Sequence, residues 1–168
     1  MRGRLVFGVG TLAVVLAVGS CKDEVGLTSI PPAPERFVAF LNGAQVETPV
    51  ATPALGQAVF TVSGASLIYR IDLSNIDNVT LAHIHTGAAG VSGGVIQNLY
   101  VPPLPAKGLD FSGTLIEDTV DVVDAVLAQM RNGTAYVNIH TNDGVAPPNT
   151  GPGDMVGGEI RGQIFRLP

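Results

Sequence analysis

From Arg36 onward, apolar and polar residues alternate in short runs broken by Gly, Pro, Asn and Asp. Successive strand residues point to opposite faces, so such runs predict strands with one buried side. They fall at 36–42 (RFVAFLN), 57–63 (QAVFTVS), 66–73 (SLIYRIDL), 79–85 (VTLAHIH), 94–100 (GVIQNLY), 112–116 (SGTLI), 134–140 (TAYVNIH) and 158–165 (GEIRGQIF). The clearest sets Leu67, Tyr69, Ile71 and Leu73 against Ile68, Arg70 and Asp72. Ser63-Gly64-Ala65-Ser66 predicts a tight hairpin. Many short strands with turn signals between them predict an all-β, antiparallel sandwich.

One stretch departs from period two. Residues 118–131 (DTVDVVDAVLAQMR) place Val122, Val123, Val126, Leu127 and Met130 on one face at helical spacing. Asp118 or Thr119 is the expected cap, Asp121 and Asp124 suit the positive end, and Asn132-Gly133 ends the helix. Two loops also stand out. Residues 86–93 (TGAAGVSG) are small and Gly-rich, without the Lys or strand–helix context of a phosphate loop. Residues 141–157 form a long Gly/Pro loop, a length often associated with function.

The N-terminus reads as an address. Arg2 and Arg4 precede an uncharged apolar stretch that is too short and Gly-interrupted for a membrane span. It ends in Val18-Gly19-Ser20-Cys21, which resembles a bacterial lipobox, and Cys21 is the chain's one cysteine. Residues 1–20 are therefore the expected lipoprotein signal peptide, and Cys21 the lipidated first residue. Lys22 follows it, not the Asp often associated with inner-membrane retention, which favours the outer membrane or cell surface of a bacterial envelope. Residues 21–35, with Pro31, Pro32 and Pro34, read as an extended tether, and 36–168 as the domain. Removing the signal takes away two of the 9 basic residues and none of the 14 acidic ones, so the charge moves from −5 to −7. That sign argues against a nucleic-acid partner. With 46% hydrophobic and 14% charged residues the chain is not of disordered type, and one cysteine excludes an intrachain disulfide framework.

The three histidines lie in two similar pieces, His83-Ile84-His85-Thr86 and Asn138-Ile139-His140-Thr141. His83 and His85, two apart on a strand, point to one side with Cα atoms ~6.5–7 Å apart. Imidazoles so placed can converge on one metal ion, with His140 from another strand as third ligand. Neutral imidazole suits copper or zinc. Asn138 shares a side with His140. Glu159 and Arg161 share a side of the last strand, where they would orient a histidine or pair with each other. The competing reading is a hydrogen-bonded polar network without metal. A metal site predicts that the three rings meet within one coordination sphere.

Other residues offer less. Ser63, Ser66, Ser92 and Ser112 lack a nucleophile elbow. Glu117, Asp118, Asp121 and Asp124 read as surface charges of the expected helix start. Asn142, Asp143 and Asp154 are too few oxygen ligands for a calcium loop. The Asn78 and Asn132 sequons are incidental in a bacterial lipoprotein.

Taken together, FVAFLNGAQVETPV, GQAVFTV, LIYRIDL, LAHIHTGAAGVSGGVI, RNGTAYVNIHT and GGEIRGQI, in that order over residues 36–166, resemble the CHRD domain. That domain is named for chordin, an animal extracellular antagonist of bone morphogenetic proteins, and also occurs in bacterial secreted proteins. The resemblance implies an extracytoplasmic β-sandwich module, with the family's motif histidines at His83, His85 and His140 and its C-terminal motif at Glu159 and Arg161. It implies no catalytic role. It does not carry over the signalling role, since the cysteine-rich modules that take part in it are missing here. The expected sandwich is of Greek-key, immunoglobulin-like or Cu/Zn superoxide dismutase-like type with one short helix. The His-x-His strand is itself similar to that of the dismutases, but their larger ligand set and usual disulfide are beyond three histidines and one cysteine.

The expected protein is thus a lipid-anchored extracytoplasmic binding module, not an enzyme, with a three-His copper or zinc site. Its alternative is a structural or protein-interaction module whose histidines are a core feature. A metal-dependent oxidoreductase ranks behind both. Beyond the membrane itself, reached through lipid on Cys21, the expected partner is an undefined protein or polysaccharide.

Overall fold

The computed structural model describes residues 33–101, 106–149 and 151–168. The signal peptide and most of the tether expected from the sequence lie outside them. Ala33–Pro168 forms one compact unit. Its strands are β1 (Arg36–Asn42), β2 (Leu55–Ser63), β3 (Ser66–Ile76), β4 (Val79–Thr86), β5 (Val95–Tyr100), β6 (Phe111–Asp121), β7 (Ala135–Thr141), β8 (Ile160–Gln163) and β9 (Phe165–Arg166). One helix, α1 (Asp124–Arg131), follows β6, and among the described residues no helix is long and apolar enough to cross a membrane.

All pairings are antiparallel, in the order β5-β4-β7-β8-β1-β2-β3-β6, with β9 beside β1. The sheet bends over itself until it nearly closes. The Tyr69 hydroxyl of β3 donates to the Leu99 carbonyl of β5 at 2.6 Å, linking strands that lie far apart in the ladder order. The all-β, sandwich-like architecture expected from the alternation is the observed one.

The inner face follows the sequence pattern. Phe37, Ala39 and Leu41 of β1, Phe60 of β2, and Leu67, Tyr69, Ile71 and Leu73 of β3 are buried together with Ile84, Val137, Ile139 and Ile160. Each large aliphatic or aromatic side chain placed there contributes ~1.5–3 kcal/mol relative to exposure. The hairpin forms at the predicted place, with Ser63 opposite Ser66 and Gly64 at φ +63°. L-residues strongly disfavour that conformation, which is why glycine stands there.

The helix is shorter than expected. Residues 118–121 continue β6, paired with Tyr69–Ser66 of β3, and the helix starts only at Asp124. Asp118 and Thr119 cap nothing there: Val123 is the N-cap residue and makes no side-chain cap bond. The ladder outcompetes the helix because Thr119 and Val120 are β-branched, and because Asp121 accepts a 2.8 Å bond from Ser66 across the pair. Val123 consequently faces water, whereas Val122, Val126, Leu127 and Met130 are buried. Gly133 ends the helix at φ +68°, as expected.

Candidate metal centre

Strands β4, β7 and β8 lie side by side, and their register determines what shares a face. His83 stands opposite Asn138, His85 opposite Tyr136 and Leu81 opposite His140, while Arg161 faces Asn138 and Gln163 faces Tyr136. The inner side of this region carries Ala82, Ile84, Val137 and Ile139. The outer side carries three histidines, a tyrosine, an asparagine, an arginine and a glutamine. These polar groups are nonetheless buried: His83, His85 and His140 are each 8% exposed, and Arg161 2%. Every residue of β7 is buried on both faces.

The cover comes from the two loops singled out by composition. Residues 87–93 fold over His85, whose Nδ1 lies 2.9 Å from the Gly93 carbonyl. Residues 151–158 fold over His140, whose Nδ1 lies 2.9 Å from the Val156 carbonyl. Close approach demands glycine. A Cβ on Gly93 would collide with the Thr86 carbonyl, and one on Gly158, at φ +117°, with the Asn138 amide.

A carbonyl only accepts, so His85 and His140 each carry a proton on Nδ1, and in the neutral ring the lone pair then lies on Nε2. His140 Nε2 meets His83 Nδ1 at 3.2 Å. His85 Nε2 is buried without a hydrogen-bond partner among the described residues. One ligand nitrogen from each ring lies within 4.8 Å of the other two. Three nitrogens bound at ~2.0–2.1 Å to one tetrahedral ion stand ~3.3 Å apart, so the widest pair needs to close by about 1.5 Å at most. The sequence expectation that these three rings meet is met by the geometry. Burial, with smaller contributions from His140 and His85, pulls His83 down to about 4. Burial also lowers His140, against the opposing effect of the Val156 carbonyl. Near neutral pH both are uncharged, the form that binds metal.

The residues expected to support the histidines behave differently from one another. The Asn138 amide donates to the Gly157 carbonyl at 3.1 Å and so helps hold the covering loop, while its Oδ1 has no hydrogen-bond partner among the described residues. Glu159 neither orients a histidine nor pairs with Arg161, contrary to both roles read from the sequence. Fully buried, it accepts bonds from Thr52 (2.6 Å), Thr141 (2.8 Å) and the Gly153 amide (2.7 Å), tying the 142–158 loop to the sheet. Arg161 lies with its guanidinium 3.5 Å from the centre of the Tyr136 ring and donates to the Ala88 carbonyl at 2.7 Å. Two participants were missed. Tyr136 stacks on His85, centroids 5.1 Å apart, and accepts from the Gly93 amide. The Gln163 amide nitrogen lies 2.8–3.0 Å from the carbonyls of Gly87, Gly133 and Ala135. Both were findable by extending the same alternation two residues, from Asn138 to Tyr136 and from Arg161 to Gln163.

Residues 37–148 match the family description CHRD domain. The chain belongs to the CHRD family. That match spans β1 to β7 and takes in all three histidines, but not the β8 segment with Glu159 and Arg161. No curated protein and no solved structure matches this CHRD chain.

Proposed function

We propose that this CHRD protein is a lipid-anchored, extracytoplasmic binding module whose His83, His85 and His140 hold one copper or zinc ion. The observation that carries the metal reading is the convergence of three buried imidazoles, with the buried Nε2 of His85 lacking any other partner. A buried nitrogen lone pair without a partner is costly, and a metal ion would satisfy it. Bound there, the ion would supply Lewis acidity or, if copper, one-electron chemistry. Gly93 and Val156 would keep two of the rings in the ligating tautomer. The lipid anchor rests on the Val18–Cys21 sequence, and the bacterial cell envelope is the compartment it implies.

Two observations favour the competing reading, a structural or interaction module. His83 and His140 already bond each other. Phe40 and Phe165, 58% and 56% exposed, share the outer side of β1 and β9 with Val38 and could meet a partner protein. The separating experiment is the metal content of untagged residues 22–168, beside a His83→Ala/His85→Ala/His140→Ala variant, with circular dichroism on both. Near-stoichiometric copper or zinc in the parent, absent from a folded variant, is the expected result. No metal after adding either ion back, together with loss of fold in the variant, would make the histidines structural.

A further inference from the structure

The arginines of the sheet region divide in an unexpected way. Exposed Arg70 bonds Asp72, and exposed Arg131 bonds Glu35. Arg161, almost wholly buried, has no carboxylate within ion-pair distance among the described residues. Its Nη2 donates to Ala88 and, at 3.4 Å, to Gln163, its plane lies against Tyr136, and its Nη1 has no hydrogen-bond partner among the described residues. A buried cation ordinarily has an anion beside it, because desolvation costs more than a carbonyl and a ring return. Arg161 also lines a partly open hollow of about 260 Å³ between Ala44–Glu47 with Pro49 and the Ala89–Gly90 segment.

We propose that this hollow is a second binding site, for a small organic carboxylate. Its charged end would meet the Arg161 guanidinium and its apolar body would lie against Val46, Pro49 and Ala89. A planar guanidinium matches the two oxygens of a carboxylate. Arg161 is the one cation among the lining residues, so a doubly charged phosphate or sulfate would remain half uncompensated. The walls are largely apolar, and the volume limits the guest to a few heavy atoms. Glu47, the one acidic lining residue, acts on Arg161 through space without pairing with it, and so opposes the incoming anion. The whole chain is net negative, so attraction must come from Arg161 locally. The site is independent of the metal reading, although Tyr136 stands between Arg161 and His85.

The test is a titration of residues 22–168 with sodium isobutyrate at pH 7 and constant ionic strength, followed by backbone amide shifts, with and without chelator. Isobutyramide and sodium sulfate are the comparators. Isobutyrate is expected to shift the amides of Val46, Ala89 and Gly90 saturably in the millimolar range, and the neutral amide and sulfate are not. Ala89→Trp, at an exposed wall position, should abolish saturation while leaving the rest of the spectrum in place. Glu47→Gln should tighten binding by about threefold, and Arg161→Lys weaken it about tenfold or more. Equal shifts from isobutyramide or from sulfate would overturn the proposal, as would saturation that survives Ala89→Trp. Should Arg161→Lys fail to fold, the Ala89 and Glu47 variants decide. Identical results with and without chelator keep this outcome separate from that of the histidine site.

Discussion

The outer faces of the two halves of this sheet obey the same alternation and end in opposite environments. On β2, β3 and β6 the outward polar residues meet water: Arg70 bonds Asp72 and Thr114, and Ser66 bonds Asp121, all of them exposed or half-exposed. On β4, β7 and β8 the outward residues are equally polar, but two Gly-rich loops cover them. Water screens the first set and makes its pairings nearly neutral for stability. The second set has lost water, and each of its groups must find a partner in the protein or stay unpaired at a cost. Among the described residues five buried polar atoms lack partners; those of His85, Asn138 and Arg161 belong to the covered face, and that of Asn42 stands opposite Arg161 at its edge. Unpaired groups gathered on one face are where an ion or ligand has something to gain.

Four perturbations bear on this contrast. The largest effect is expected from Glu159→Ala, which leaves two threonine hydroxyls and the Gly153 amide without their acceptor. A loss of about 3 kcal/mol or more in urea unfolding is expected. A loss under 1 kcal/mol would show that the 142–158 loop does not depend on its buried clamp. Next, Gly93→Ala forces the loop away from the Thr86 carbonyl and withdraws the acceptor that orients His85. About 2 kcal/mol should be lost, with metal affinity, measured by competition with a chromogenic chelator, falling about tenfold or more. Unchanged affinity would remove Gly93 from the site.

The third is pH. His83 titrates lower in the fold than in the unfolded chain, so its contribution to stability is fully present above about pH 6.5 and fades as pH falls toward about 4. His140 shifts in the same direction. Metal-free protein should lose on the order of 1–2 kcal/mol between pH 7 and pH 4.5, and His83→Phe should flatten the profile in that window. A parent profile already flat there would place the imidazoles in water. The smallest effect belongs to the open face, where Arg70→Ala should leave the urea midpoint at its parent value. A clear drop would erase the distinction between the two faces.

Much of this was legible in the chain. The alternation placed all the major strands to within a few residues, except for β6, which runs five residues further, and it put His83, His85, Asn138 and His140 on definable sides. The helix start was misplaced because a carboxylate-rich stretch with valines at mixed spacing satisfies both periods. Only pairing with β3 separates them. Glu159 was misassigned for a related reason. Alternation says which side a group takes, not which donors a distant loop brings to it, and Thr52, Thr141 and Gly153 come from three separate places in the chain.

By itself the sequence determined the all-β class, the inner core and the three histidines as a set, because side-chain direction in a strand is a local, period-two property. The tertiary structure alone decided that the polar outer face of β4, β7 and β8 is buried, that two carbonyls orient two of the rings, and that Arg161 has no carboxylate beside it among the described residues. Those facts depend on where loops land after the sheet has bent, and contacts between a strand and a covering loop leave no periodic trace in the chain.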